Sequence, residues 1–151
     1  MFTTVRYFIK TSITFLLTGI LTGLYMIISR NVFQTGYTYN MISAHTHILL
    51  VGFMLMMIMG VALWFFPRAE KEDKKYNPTL IWITYWMITF GTAFRFLFEL
   101  LSSFVPLDFL SIFIAFSATM QVAAIILYFY SMWGRIRSVG SHIREAKGEK
   151  F

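Results

Sequence analysis

The sequence predicts an all-α membrane protein, a bundle of four transmembrane helices with both termini on the cytoplasmic side. Three observations carry this reading. Hydrophobic residues make up 58% of the 151 positions and charged residues only 13%, about half the roughly 25% of an average soluble domain. Four long apolar segments alternate with short polar connections, and nearly all basic residues fall on one side of them. A mean hydropathy of +0.66 and an aromatic content of 19% exclude a disordered chain, a collagen-like chain and a solvated α/β enzyme. Cysteine is absent, which removes a disulfide framework, a thiolate metal site, a cysteine nucleophile and covalent c-type haem attachment through C-x-x-C-H.

A spanning helix needs about 20 mostly apolar residues to cross a hydrocarbon core about 30 Å thick. The first such segment covers residues 7–28 and carries Gly19 and Gly23 at G-x-x-x-G spacing; Arg30-Asn31 and the stretch from Gln34 to Asn40 close it. Its apolar run is too long for a signal peptide and no small-residue cleavage site follows, so it reads as a retained helix. The second covers 41–66 and stops at Pro67. A charged connection up to Pro78 leads to the third, 80–101, and a short link containing Pro106 leads to the fourth, 109–133. Residues 1–133 thus form one membrane domain, and 134–151 a charged tail. Within the bilayer each segment must satisfy its own backbone, so all four read as helices.

An even number of spans puts both termini on one side. That side holds Arg6, Lys10, Arg68, Lys71, Lys74, Lys75, Arg135, Arg137, Arg144, Lys147 and Lys150, whereas the other holds Arg30. The positive-inside rule makes the richer side cytoplasmic. The net charge of +6 follows from this bias and implies contact with anionic membrane lipid. Nucleic acid is not an expected partner, because the basic residues sit at span ends.

Ionisable groups inside a bilayer are costly and mark functional sites. Here they are His45 and His47 in the second span, and Arg95 and Glu99 in the third; Gln121 is mid-span in the fourth. At 1.5 Å per residue, His45 and His47 lie roughly 6 and 9 Å below the outer end of their span, Arg95 roughly 9 Å and Glu99 roughly 3 Å. All four share one outer layer. Imidazole is a common ligand for iron, zinc and copper, but positions i and i+2 on a helix point about 200° apart. His45 and His47 therefore do not converge on one compact zinc or copper centre, and the remaining histidine, His142, is in the tail. Haem needs only one protein ligand per face, and Gly19, Gly23, Gly52, Gly60 and Gly91 allow close approach of a helix or a ring. Structural readings stand beside these. The histidines can bind neighbouring helices, Arg95 and Glu99 at i, i+4 can form an internal ion pair, the glycines can serve helix packing, and Gln121 can make an interhelical hydrogen bond.

The stretch Tyr39-Asn40-Met41-Ile42-Ser43-Ala44-His45-Thr46-His47, running on to Gly52, Gly60, Trp64 and Pro67-Arg68, resembles helix II of subunit I of the haem–copper oxidase and nitric oxide reductase superfamily. Ala44 to His47 also looks like that family's H-x-H helix, and the first span, with Gly19 and Gly23, looks like helix I. The resemblance implies that His45, with His47 as second choice, is an axial ligand of a b-type haem in the outer half of the membrane. The family's active site needs more membrane histidines than this chain has. The resemblance therefore implies a haem-binding four-helix relative, not a complete oxygen reductase or a proton pump.

The expected function is electron transfer or binding of a diatomic gas, with oxidoreductase activity left open. The alternative is a haem-free accessory or assembly subunit of a respiratory complex. His45 and His47 are the expected metal ligands. Arg95, a planar fork suited to carboxylates, is the expected partner of a haem propionate. A six-coordinate haem needs a ligand on each face, so a two-fold homodimer with haem near the interface is expected; the alternatives are Met26 as the second ligand and a five-coordinate haem held by one chain. A redox partner would meet the outer face, and the expected location is the inner membrane of a bacterium or archaeon.

Overall fold

The computed structural model describes residues 2–67, 77–105 and 107–137, with 140, 143–144 and 147–148 in the tail. Arg68, Lys71, Lys74, Lys75, Pro106, His142 and Lys150, used in the sequence reading, lie outside the described residues. Four helices are long and apolar enough to cross a membrane: α1 (Phe2–Asn31), α2 (Tyr39–Phe65), α3 (Pro78–Phe104) and α4 (Leu110–Met132), which a 3-10 turn extends over Trp133–Arg135. No strand occurs among the described residues. The all-helical, four-span architecture is the expected one, and it makes the chain an integral membrane protein.

α2 and α3 each begin two residues before the expected spans, because their capping residues lie outside the apolar run. Thr38 caps α2 by accepting a hydrogen bond from the Met41 amide. Asn77 caps α3 by accepting from the Thr79 amide, and Pro78 occupies the first turn, where its missing N–H costs nothing. One feature was not expected: α2 is wound as a π-helix over Ile48–Leu55.

Successive helices pack antiparallel, and α3 is central, touching α1, α2 and α4. Glycines set the closest approaches. Gly60 of α2 lies against Phe8 and Ile9 of α1, Gly52 between Phe15 of α1 and Thr92 of α3, and Gly91 of α3 against Gln121 and the Ser117 carbonyl of α4. The core of Phe8, Ile48, Met56, Met59, Leu63, Ile88 and Met132 fills the middle and the end of the bundle that holds the 67–77 connection. Tyr128 donates to the Met59 carbonyl there. At the same end Arg135 is fully buried. Its guanidinium donates to the carbonyls of Leu63, Phe66 and Pro67, the acceptors that the end of α2 leaves without intrahelical partners. Only 22% to 33% of each span's most apolar window is buried, so the remaining Leu, Ile and Phe side chains face lipid.

Candidate functional site

The polar groups at the opposite end, where the α1–α2 and α3–α4 connections lie, form two clusters on different sides of α2. The i, i+2 spacing of the histidines produces this split.

His45 faces α1. Its Nδ1 is 3.0 Å from the Gly19 carbonyl oxygen. A carbonyl only accepts, so Nδ1 donates, and in the neutral ring Nε2 then holds the lone pair. The ring packs on Gly23, where a Cβ would stand 2.9 Å from His45 Cε1. Beside it is a cavity of about 400 Å³ lined by Gly23, Met26, Ile27, Arg30, Tyr37 and His45, among others, within the range of roughly 300–1,000 Å³ typical of ligand sites. A second cavity of about 470 Å³ lies between the ends of α1 and α3 and is lined by hydroxyls and aromatic rings, with no imidazole.

His47 faces α3. Its Nδ1 is 2.8 Å from the Ser43 carbonyl and 3.2 Å from Ser43 Oγ. Ser43 Oγ donates to Glu99 Oε1 at 2.8 Å, and Arg95 Nε donates to the same oxygen at 3.0 Å. Arg95 Nη1 reaches Gln121 Oε1 at 3.2 Å, and Gln121 Nε2 donates to Thr92 Oγ1 at 2.9 Å. Nearby, Asn40 donates to Ser102. These side chains form a continuous chain of hydrogen bonds across α2, α3 and α4. Arg95 and Glu99 thus make the ion pair that their spacing allows, and Gln121 makes the interhelical bond.

The structure therefore joins His47 with Arg95 and leaves His45 apart from both. Among the described residues no three His, Cys, Asp or Glu side chains converge as a metal centre. A donor set of one imidazole beside a cavity suits a cofactor that brings most of its own ligands. Sequence reasoning missed Arg30 and Tyr37 as neighbours of His45, and Ser43 as the link to Glu99. A signal for Arg30 exists: Gly19, Gly23, Met26 and Arg30 follow the three- and four-residue spacing of one helix face.

The contact at Gly23 is directly testable. Gly23→Ala is expected to displace the His45 ring while leaving the fold intact, because the obstructing atoms belong to a side chain that can turn. Histidine ring resonances in detergent should move with unchanged helical content by circular dichroism; unmoved resonances would contradict the close approach.

A family model described as cytochrome c and quinol oxidase polypeptide I matches residues 3–149. Comparison with curated proteins gave no match, and comparison with solved structures gave none. The match covers all four spans, including the histidine-bearing helix whose motif resembles helix II, and the chain belongs to that family, subunit I of the haem–copper oxidases.

Proposed function

We propose that the chain is a membrane-embedded b-type haem protein that acts in electron transfer or in binding a diatomic gas, with His45 as axial ligand. The supporting observation is the state of His45. Its Nδ1–H is tied to a backbone carbonyl, the arrangement that fixes the tautomer and orientation of metal-bound histidine, and in the neutral ring the other nitrogen holds the lone pair. Gly23 supplies the clearance: any side chain there would push the ring aside. These residues fit the group.

A bound haem supplies a one-electron couple, or an open iron position for a gas. The chain's own residues do the rest. Gly19 orients the imidazole, Gly23 admits it, and Met26 and Ile27 line the apolar side of the cavity. His47 is the second choice as ligand; on that side Arg95 would be the propionate partner, at the cost of its bonds to Glu99 and Gln121. One chain offers His45 on one face of such a site, so we further propose a two-fold dimer, with the haem near the interface and the second ligand from the other copy. A redox partner would approach the outer face in the inner membrane of a bacterium or archaeon, and oxidoreductase activity stays within this reading.

The continuous hydrogen bonding of the His47 cluster favours a second, structural reading for that side, in which His47, Arg95 and Glu99 bind helices together, as in a haem-free accessory or assembly subunit. Haem content decides. Expressed with adequate haem supply, the wild type should show a Soret band; His45→Ala should lose most of it and His47→Ala less. Equal content in all three would refute the assignment, and a colourless wild type would leave the accessory reading. Native mass together with the haem-to-chain ratio tests the dimer: a monomer with one low-spin haem would exclude it.

A further inference from the structure

Resting on the haem reading, we infer that Arg30, and not Arg95, is the cation that holds a haem propionate at the His45 site. Two arginines belong to this half of the bundle, and the structure gives them different circumstances. Arg95 is turned elsewhere: its Nε is on Glu99 and its Nη1 on Gln121, on the α3 side of α2. Arg30 lines the same cavity as His45, with Tyr37 beside it. It is exposed, and among the described residues it makes no ion pair.

The site also needs a cation for a physical reason. The cavity adjoins the last turn of α1, where Arg30 and Asn31 end the helix. The C-terminal end of a helix carries partial negative charge, which repels a carboxylate. A local positive charge offsets that repulsion, and Arg30 stands at that position. Its planar fork of donors matches carboxylate geometry, and the Tyr37 hydroxyl offers one further donor. A lipid phosphate presents the same anionic oxygens at this depth, so the test must separate the two sources.

The experiment measures haem dissociation to an excess of acceptor protein from the purified chain, in detergent and in vesicles of phosphatidylcholine with or without phosphatidylglycerol. Wild type, Arg30→Gln, Arg30→Lys and Arg95→Gln are each loaded with haem b or with its dimethyl ester, which lacks propionate charge. Arg30→Gln should release haem b about tenfold faster, the size expected for a lost charge-assisted hydrogen bond, and the ester form at the wild-type rate. Arg30→Lys should fall between, and Arg95→Gln should not distinguish the two haems. The assignment is overturned if Arg30→Gln speeds both haems equally, or if Arg95→Gln is the variant that distinguishes them. It is also overturned if the Arg30 effect appears only in vesicles containing phosphatidylglycerol and not in phosphatidylcholine alone, which would make lipid phosphate the ligand. A wild type with no Soret band removes the haem reading as a whole, and that failure shows before any variant is compared.

Discussion

Glu99→Leu is expected to destabilise the bundle by about 3–5 kcal/mol, the cost of removing one partner from a buried ion pair. Glu99 is 3% exposed and accepts from both Ser43 and Arg95 through Oε1. Leucine would leave the Arg95 guanidinium with Gln121 as its remaining hydrogen-bond partner among the described residues, and the Ser43 hydroxyl without its acceptor. Water cannot easily replace these bonds inside a bilayer. Glu99→Gln keeps an acceptor oxygen of the same shape, so it should cost much less. Arg95→Met combined with Glu99→Leu should recover most of the loss, because replacing both members of a buried pair with apolar groups is often neutral or better. Unfolding by SDS in mixed micelles measures all three. Equal stability of Glu99→Leu and wild type would mean that the cluster contributes nothing to holding α2, α3 and α4 together.

Arg135→Met should be comparably damaging at the other end of the bundle. The guanidinium donates to three carbonyls at the end of α2, and each buried acceptor left without a partner costs about 1–3 kcal/mol. Methionine preserves the length and apolar stem of the side chain, so the measured loss reports the hydrogen bonds and not the packing. Arg135→Lys keeps the charge but not the planar fork and should restore only part. The loss should be local as well as global. Amide exchange near residues 63–67 should speed up before that of α1, and uniform acceleration would argue against a capping role.

Much of this was open to sequence reasoning. The four spans follow from run length alone. The ion pair of Arg95 with Glu99 follows from i, i+4 spacing, and the separation of His45 from His47 from a rotation of about 100° per residue. Which neighbour each histidine meets was not legible, since that depends on the order of helices around α2. Arg135 reads from sequence as one more basic residue flanking a span; nothing in its neighbours shows that the end of α2 turns its carbonyls toward it. Arg30 reads as the lone positive charge on the sparse side. Its kinship with His45 appears only when the face of α1 bearing Gly19 and Gly23 is followed to the helix end. The π-wound stretch, Ile-Leu-Leu-Val-Gly-Phe-Met-Leu, is uniformly apolar, so its periodicity carries no phase.

That stretch acts as a torsional phase corrector. Ala44, Ile48, Gly52 and Met56 are all buried, a run at intervals of four residues. On a uniform α-helix each such interval overshoots a full turn by about 40°, so three of them would accumulate about 120°. The wider winding between Ile48 and Leu55 absorbs this excess and keeps both halves of α2 on one seam. Rewound as an α-helix, the segment would turn the histidine end about a third of a revolution relative to the Met59 end. His45 would leave Gly23, and its ring nitrogen the Gly19 carbonyl. The pitch of the π-wound stretch thus sets the bearing of an imidazole less than one turn before it.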